Sequence, residues 1–248
     1  MPEVEDPIAI RRATADDAPA VTDVLVESFL PGPIGAWLVA DADSRRAVYE
    51  RCFAVVVDHA LQTGIVHTTA DRSAVAVWFR AMGPLDNSDF DARLAEAAGE
   101  HVGRFAVKAA ATAGHHPTDP HHHLAFLGVH PHRQAGGVGS ALLQEHHRTL
   151  DAAGTAAFLE ATTERSRRLY LRHGYISAEP IYLPEGGPPM WPMWRRPLTT
   201  HTDNVADAIR RVIERSGGEA EDAAVVVDES GLILFGDVEE RPARQRIY

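Results

Sequence analysis

A glycine-rich segment after an apolar stretch carries the strongest chemical signal in the sequence. It reads Val129-His130-Pro131-His132-Arg133-Gln134-Ala135-Gly136-Gly137-Val138-Gly139-Ser140. Because glycine has no side chain, the glycines let a ligand approach the backbone closely. The segment opens a predicted helix, whose free N–H groups and positive dipole end favour an anion. The pattern predicts a bound diphosphate, and the alternative is a glycine-rich connection without a ligand.

Two common nucleotide-binding motifs do not fit this segment. Gly-x-Gly-x-x-Gly, counted from Gly137, needs a glycine at the position of Leu142, and the P-loop needs Gly-Lys-Ser/Thr. The sequence therefore predicts a diphosphate held by a strand–loop–helix turn of another kind.

Strands and helices are predicted to alternate around the glycine-rich segment. Strands at 123–129 and 156–160 each precede a helix, at 137–153 and 165–173, and strands follow at 175–182 and 190–196. This order is typical of an α/β domain with a parallel pair of strands. Upstream, the pattern predicts a strand at 8–12, helices at 14–29 and 44–63, a hairpin at 64–79, and a helical segment at 89–113 broken at Gly99 or Gly103.

The composition is that of a globular protein that acts on a small molecule or another protein. The chain has 248 residues, of which 45% are hydrophobic, and its formal net charge is −11. Nucleic acids and anionic membranes would repel it, so neither is expected as a partner. The single cysteine, Cys52, rules out an internal disulfide, the acidic N-terminus is unlike a secretory signal, and no apolar run reaches the roughly 20 residues of a membrane span. A cytoplasmic location is predicted.

The glycine-rich segment resembles the acetyl-CoA signature of the GNAT N-acetyltransferase superfamily, Gln/Arg-x-x-Gly-x-Gly/Ala. Here the signature reads Gln134-x-x-Gly137-x-Gly139 and follows Leu127-Gly128-Val129. The stretch Leu169-Tyr170-Leu171-Arg172-His173-Gly174-Tyr175 is similar to the family's Phe-Tyr-x-x-x-Gly-Phe. The resemblance covers residues 8–198. It implies an α/β (α+β) domain whose mixed, mostly antiparallel sheet is splayed between its fourth and fifth strands at the acetyl-CoA site, with helices on both faces.

The resemblance also implies the residues that bind the cosubstrate acetyl-CoA. They are Leu127, Val129, Gln134, Ala135, Gly136, Gly137, Val138, Gly139, Ser140 and Ser166. The Val129 N–H would hold the thioester carbonyl oxygen. Four arginines, at 165, 167, 168 and 172, could receive the 3′-phosphate of CoA or form a solvated helix face.

Two proton-transfer residues are implied in the same way. The family places the general base at Glu160, at the end of a predicted strand, and the general acid at Tyr170 in the next helix. Both fit the chemistry, because the amine must lose a proton and the CoA thiolate must gain one. The alternatives are a solvent-facing carboxylate and an amphipathic core tyrosine.

Within the superfamily, segments at 74–78, 158–162, 183–186 and 191–194 resemble the puromycin N-acetyltransferases, which are antibiotic-resistance enzymes. The likeness implies direct acetyl transfer to a primary amine of a small molecule. Glu160 with the apolar Phe29, Trp37 and Trp78 would suit a cationic, partly aromatic amine. The other interpretations are a non-catalytic acyl-CoA-binding sensor or scaffold, and an acetyltransferase of protein lysines or N-termini.

Fourteen histidines raise the question of a metal site. None of the zinc spacings fits, and consecutive histidines alternate between the faces of a strand, so no metal is predicted. Cys52 is predicted to be a small core residue rather than a nucleophile.

Residues 199–248 are predicted to form an extension beyond a domain of residues 1–198. Val205, Ala208, Ile209, Val212 and Ile213 mark one face of a helix, and apolar runs at 223–227 and 232–235 form a hairpin. A hairpin and one helix cannot bury much core alone, so the extension is expected to pack on the main domain or on a second copy. Edge pairing favours a homodimer.

Overall fold

The computed structural model describes residues 8–81 and 88–198, together with two strands of the extension. By contact the chain divides into two compact units, Met1–Leu198 and Thr199–Tyr248. In the second unit, strands β9 (Ala223–Val227) and β10 (Ile233–Asp237) pair antiparallel, as the predicted hairpin requires. The helix predicted near 205–213 lies outside the described residues.

The first unit is built on one open sheet of eight strands. They are β1 (Ile10–Arg12), β2 (Ile65–Thr69), β3 (Ala74–Ala81), β4 (His121–Val129), β5 (Ala156–Ala161), β6 (Ile176–Ser177), β7 (Ile181–Tyr182) and β8 (Pro189–Arg195). Their order is β1-β2-β3-β4-β5-β8-β6, with β7 also paired to β8. Every neighbouring pair is antiparallel except β4 and β5, which form the predicted parallel pair.

The sheet splits between β4 and β5. These strands pair only where His121–His123 lies beside Ala156–Phe158, and the rest of β4 runs on without β5 as a partner. On its other side β4 stays paired with β3, but the register shifts between Val77 and Trp78 and leaves Ala125 without a partner in β3. The extra residue bends and twists the strand locally. The expected opening between the fourth and fifth strands is therefore present.

Seven helices of the described residues cover the two faces of the sheet. They are α1 (Ala18–Phe29), α2 (Pro33–Leu38), α3 (Ala42–Thr63), α4 (Ser88–Ala98), α5 (Val102–Ala113), α6 (Val138–Ala152) and α7 (Glu164–Arg172). Helices α1 and α3 bury apolar residues against one face, and α6 and α7 against the other. No described helix combines the length and the hydropathy that crossing a bilayer would require.

Two elements differ from the prediction. The sequence predicts helices at 14–29 and 44–63 and none between them, yet Pro33 is the first residue of α2, a position where a missing N–H does no harm. The strand predicted at 175–182 is two short strands, β6 and β7. Pro180 lies between them and has no N–H to donate to a ladder.

Candidate functional site

The split between β4 and β5 opens into a cavity of about 700 Å³. One wall is the end of β4, with Leu127 and Val129, and another is the first turn of α6 with the loop before it. Helix α7 and the Thr162-Thr163 pair that precedes it close a third side, and the loop between α1 and α2 closes the fourth. The cavity thus passes from the glycine-rich loop through the opening in the sheet.

The charge of the cavity is opposite to that of the chain. Arg133, Arg165 and Arg172 line it, and its lining within the described residues contains no aspartate or glutamate. In a chain with a formal net charge of −11, such a surface selects for an anion. The free N–H groups at the start of α6 act in the same direction.

The loop before α6 is shaped by two residues in the left-handed region. Gly137, with φ 76°, directly precedes the helix, and Ala135 has φ 67°. Gln134 fixes this loop from both ends. Its Nε2 donates to the Val129 carbonyl (3.0 Å), and its Oε1 accepts from Arg165 of α7 (3.1 Å). The loop is therefore held beside β4 and α7, with its backbone turned by residues that leave room for a ligand.

Most of the predicted acetyl-CoA residues lie on this cavity. Those that line it are Leu127, Val129, Gln134, Ala135, Gly137, Val138, Gly139, Ser140 and Ser166, whereas Gly136 is not among the lining residues. The Ser166 hydroxyl also donates to the Thr163 carbonyl (2.9 Å) and caps α7 with Thr163. The Ser140 hydroxyl lies 3.0 Å from Nε2 of His173.

Tyr170 reaches the cavity from α7. It is only 7% exposed and packs edge-on against Tyr175, with the ring centroids 5.7 Å apart. Burial raises the pKa of Tyr170 above its ordinary value, so its hydroxyl stays protonated at neutral pH. Within the described residues no group hydrogen-bonds this hydroxyl, which leaves it free to donate into the cavity.

Glu160 lies beside the cavity rather than in its lining. It stands on β5 two residues before Thr162, its side chain is 12% exposed, and its Oε2 is 3.0 Å from Nε2 of His123. Burial raises the pKa of Glu160, but the hydrogen bond from His123 and the nearby positive charges of Lys108 and His116 lower it more. The carboxylate is therefore ionised at neutral pH. His123 was not predicted as a site residue, because its contact with Glu160 depends on the register of β4 and β5.

The end of α1, the loop that follows it and the start of α2 also line the cavity. Their lining residues are Ser28, Phe29, Pro31, Gly32 and Pro33.

Arg45 of α3 holds the backbone on both sides of α2, at Leu30 in the loop before it and at Val39 and Ala40 after it. It donates to Leu30 (3.1 Å), Val39 (2.8 Å) and Ala40 (2.8 Å). A side chain that does not line the cavity therefore anchors the backbone next to it.

Several predicted contacts are placed elsewhere. Trp78 cannot meet an amine, because it is fully buried and stacked on His146 with the ring centroids 4.2 Å apart. Trp37 lies under Arg104, with the guanidinium 4.7 Å from the ring centroid, and is not among the lining residues. Of the four arginines proposed for phosphate, only those at 165 and 172 line the cavity. Arg167 pairs instead with Glu164.

The histidines mostly contact one another. His122 faces His146 of α6, whereas His121 and His123 lie on the other face beside Phe158. No group of three or more His, Cys, Asp or Glu side chains in the described residues is placed to hold a metal ion. Cys52 is buried, which raises the pKa of its thiol to about 11 and makes it a poor nucleophile.

The chain is similar to known acetyltransferases in sequence and in structure. Residues 91–177 match the family model described as acetyltransferase (GNAT) domain. A protein of Corynebacterium glutamicum described as histone acetyltransferase and related acetyltransferase is 27% identical, with a TM-score of 0.61 over 78% of this chain and 98% of that one. Arylalkylamine N-acetyltransferase 2 of Aedes aegypti is 15% identical, with a TM-score of 0.55 over 77% of this chain and 99% of that one. The chain therefore has the GNAT fold, and residues 91–177 are similar to the GNAT acetyltransferase domain.

Proposed function

We propose that the protein transfers acetyl from acetyl-CoA to the primary amine of a small molecule by direct attack. The observation that carries the proposal is the cavity in the sheet opening, which three arginines line in an acidic chain. CoA is a polyanion, so the arginines and the start of α6 suit its phosphates. The thioester would then extend along the end of β4, where Val129 lines the opening.

The groups beside the cavity supply the proton transfers of this reaction. Glu160, ionised and paired with His123, would take up the proton of the amine. The Tyr170 hydroxyl would give a proton to the departing thiolate. The buried, high-pKa thiol of Cys52 does not suit an acyl-enzyme, which favours direct attack.

The acceptor is proposed to be a cationic amine with an apolar part. Glu160 offers a negative charge beside the cavity, and Phe29 at the end of α1 offers an aromatic surface in its lining. An aminonucleoside such as puromycin fits this description, in line with the sequence resemblance. A protein lysine is the second candidate, because the Corynebacterium relative is described as a histone acetyltransferase.

A panel of amines tests the function and its substrate class. The full-length protein is given acetyl-CoA with aminonucleosides, polyamines, arylalkylamines or lysine peptides, and free CoA thiol is followed over time. We expect release that depends on a small aromatic amine. Release only with peptides would favour the protein substrate, and no release with any amine would leave the sensor interpretation.

Replacing Gly137 with aspartate is expected to weaken acetyl-CoA binding at least tenfold. The substitution puts a negative charge beside the predicted diphosphate at the start of α6. Gly137→Asn is the matched control, because asparagine has the same size and tolerates φ 76° about as well but carries no charge. The dissociation constant of acetyl-CoA is measured by calorimetry for both variants. Equal binding by the two would show that no phosphate lies near Gly137.

Replacing Tyr170 with phenylalanine is expected to lower kcat about tenfold or more while the acetyl-CoA dissociation constant stays nearly unchanged. Charge develops on the sulfur only in the transition state, so the lost hydroxyl affects turnover rather than binding. The loss is modest for an acid catalyst because a thiolate, with a pKa of about 8.5 for a free thiol, is already a good leaving group.

Tyr175→Phe is the control for Tyr170→Phe. The Tyr175 hydroxyl lies 3.1 Å from Nε2 of His147 and is not on the cavity, so its loss should affect stability by about 1 kcal/mol and leave kcat unchanged. Equal losses of binding and turnover in Tyr170→Phe would mark Tyr170 as a structural contact.

A further inference from the structure

The contact between His123 and Glu160 joins β4 and β5 at the point where the two strands separate. His123 is the last residue of β4 that pairs with β5, where it lies beside Phe158. Glu160 stands two residues further along β5 and so projects from the same face as Phe158. The 3.0 Å contact between Nε2 of His123 and Oε2 of Glu160 therefore spans the inner end of the split.

This contact leaves one nitrogen of the imidazole available. An ionised carboxylate only accepts hydrogen bonds, so Nε2 of His123 carries the hydrogen, and a neutral ring then has its lone pair on Nδ1. Within the described residues no group hydrogen-bonds Nδ1, nor is it among the buried unpaired atoms. The side chain is 23% exposed. Nδ1 can therefore meet a water molecule. Since neither His123 nor Glu160 lines the cavity within the described residues, a proton from a ligand in the cavity would reach Nδ1 through water.

The groups that face this pair favour an ionised carboxylate over a protonated one. In the loop before β4, the ring of His116 lies with its centroid 4.9 Å from that of His123. The ring of His121 contacts His116 in turn. From α5, Lys108 is close enough to act on the charge of Glu160. The hydrogen bond from His123 is the largest of the effects that lower the pKa of Glu160 against burial, so the carboxylate is a weak proton acceptor. Burial lowers the pKa of His116, His121 and Lys108, which reduces their repulsion of an imidazolium at His123. The Glu160 carboxylate is well suited to stabilise a neighbouring imidazolium.

We propose that His123 is the catalytic group that takes the proton from the amine, and that Glu160 is the residue that positions and stabilises it. The inference rests on the proposed acetylation of an amine. In this proposal Glu160 does not take the proton itself. It positions and stabilises His123, which does. The proposal also adds to the site a residue from the strand on the other side of the split.

The amine arrives as an ammonium ion, and its proton reaches His123 through a water molecule. Nδ1 of His123 takes one proton, and Glu160 stabilises the imidazolium at Nε2. The free amine attacks the thioester carbon, the C–S bond breaks, and the sulfur leaves with the electron pair and gains a proton from Tyr170. The attacking nitrogen loses a second proton, which replaces the one that Tyr170 gave, and His123 returns its proton to water. One amide, one CoA thiol and one proton are produced.

The test compares His123→Gln with His116→Gln in the full-length protein. Glutamine at 123 can still donate to Glu160 but cannot carry a proton. We expect His123→Gln to lower kcat about 10²-fold or more and to remove the acidic limb of the kcat/KM profile against pH. Acetyl-CoA affinity should not change. His116→Gln alters the same surroundings without removing the proposed proton acceptor, so it should keep the acidic limb and lower kcat far less than His123→Gln does.

Chemical rescue separates catalysis from structure. In His123→Ala, added imidazole should restore part of the lost turnover in proportion to its concentration. Wild-type kcat and an unchanged pH profile in His123→Gln would overturn the proposal. So would a loss of turnover that imidazole does not restore and that leaves the acidic limb in place. If the wild-type protein releases no thiol with any amine, the proposed function fails instead, and the two failures are distinct.

Discussion

Replacing Glu160 with glutamine is expected to reduce kcat by about 10²-fold or more, with acetyl-CoA affinity unchanged. Glutamine keeps the shape of the side chain and an oxygen that can accept from His123, but it removes the negative charge. That charge is needed whether Glu160 takes the proton itself or stabilises the imidazolium of His123. Binding should persist, because Glu160 is not among the residues that line the cavity.

Glu164→Gln is the matched control for this prediction. Glu164 undergoes the same chemical change close to the site. It is exposed and, among the residues that the structure describes, pairs only with Arg167 of the same helix. Both variants are assayed for kcat, KM of the amine and the dissociation constant of acetyl-CoA. Wild-type kcat in Glu160→Gln would show that no charge at this position takes part in the reaction. The double variant with His123→Gln should lose little more than either single one, since the two residues act as a unit.

Mild acid is expected to destabilise the fold by about 4 kcal/mol between pH 7 and pH 5. The cause is two buried histidines of α6. His146 is 1% exposed, and burial together with the charges of its histidine neighbours lowers its pKa to about 2. His147 is 5% exposed, and burial together with the charge of Arg195 lowers its pKa to about 3.

The free energy of unfolding falls as the pH falls because the unfolded chain binds more protons than the folded protein. Between pH 7 and pH 5 both rings stay neutral in the folded protein, whereas in the unfolded chain they take up protons near a pKa of about 6.5. The unfolded state therefore gains about 2 kcal/mol for each histidine, and stability is lost as the pH falls. Aspartates contribute little in this window, because their unfolded pKa is about 3.9.

Urea unfolding at several pH values measures this effect. We expect His147→Gln, which can still bond to Tyr175, to lose about 2 kcal/mol of the pH dependence between pH 7 and pH 5. The rest comes from His146 and from other histidines whose pKa burial lowers, such as His67 and His122. Exposed His115→Gln should keep all of it. A free energy of unfolding that is the same at pH 7 and at pH 5 in the wild-type protein would contradict the prediction.

The parts of the site that are formed by residues adjacent in the sequence could be predicted. The segment from Gln134 to Gly139 specifies its own turn and helix start through glycines and dipole, so the cavity loop lies where it was expected. The strand–helix order around it fixed the parallel pair of β4 and β5.

The parts that depend on register could not be predicted. His123 and Glu160 are 37 positions apart, and only the short pairing of β4 with β5 brings them together. The prediction that Trp78 meets the amine is wrong for a similar reason. Strand β3 is apolar at 74–78 and buried on both faces, so alternation gives no sign of which side the indole takes.

Arg45 holds the backbone on both sides of α2, and this bears on how the lining of the cavity could change over evolution. Its three bonds there, to Leu30 before α2 and to Val39 and Ala40 after it, are to backbone carbonyls, which every amino acid supplies. Mutations of the side chains around α2 can therefore alter the surface of the cavity without removing what holds the backbone in place. For the proposed acetylation of an amine, such a segment can change toward new amines while the glycine-rich loop is kept, and it is a natural place to randomise side chains in the laboratory.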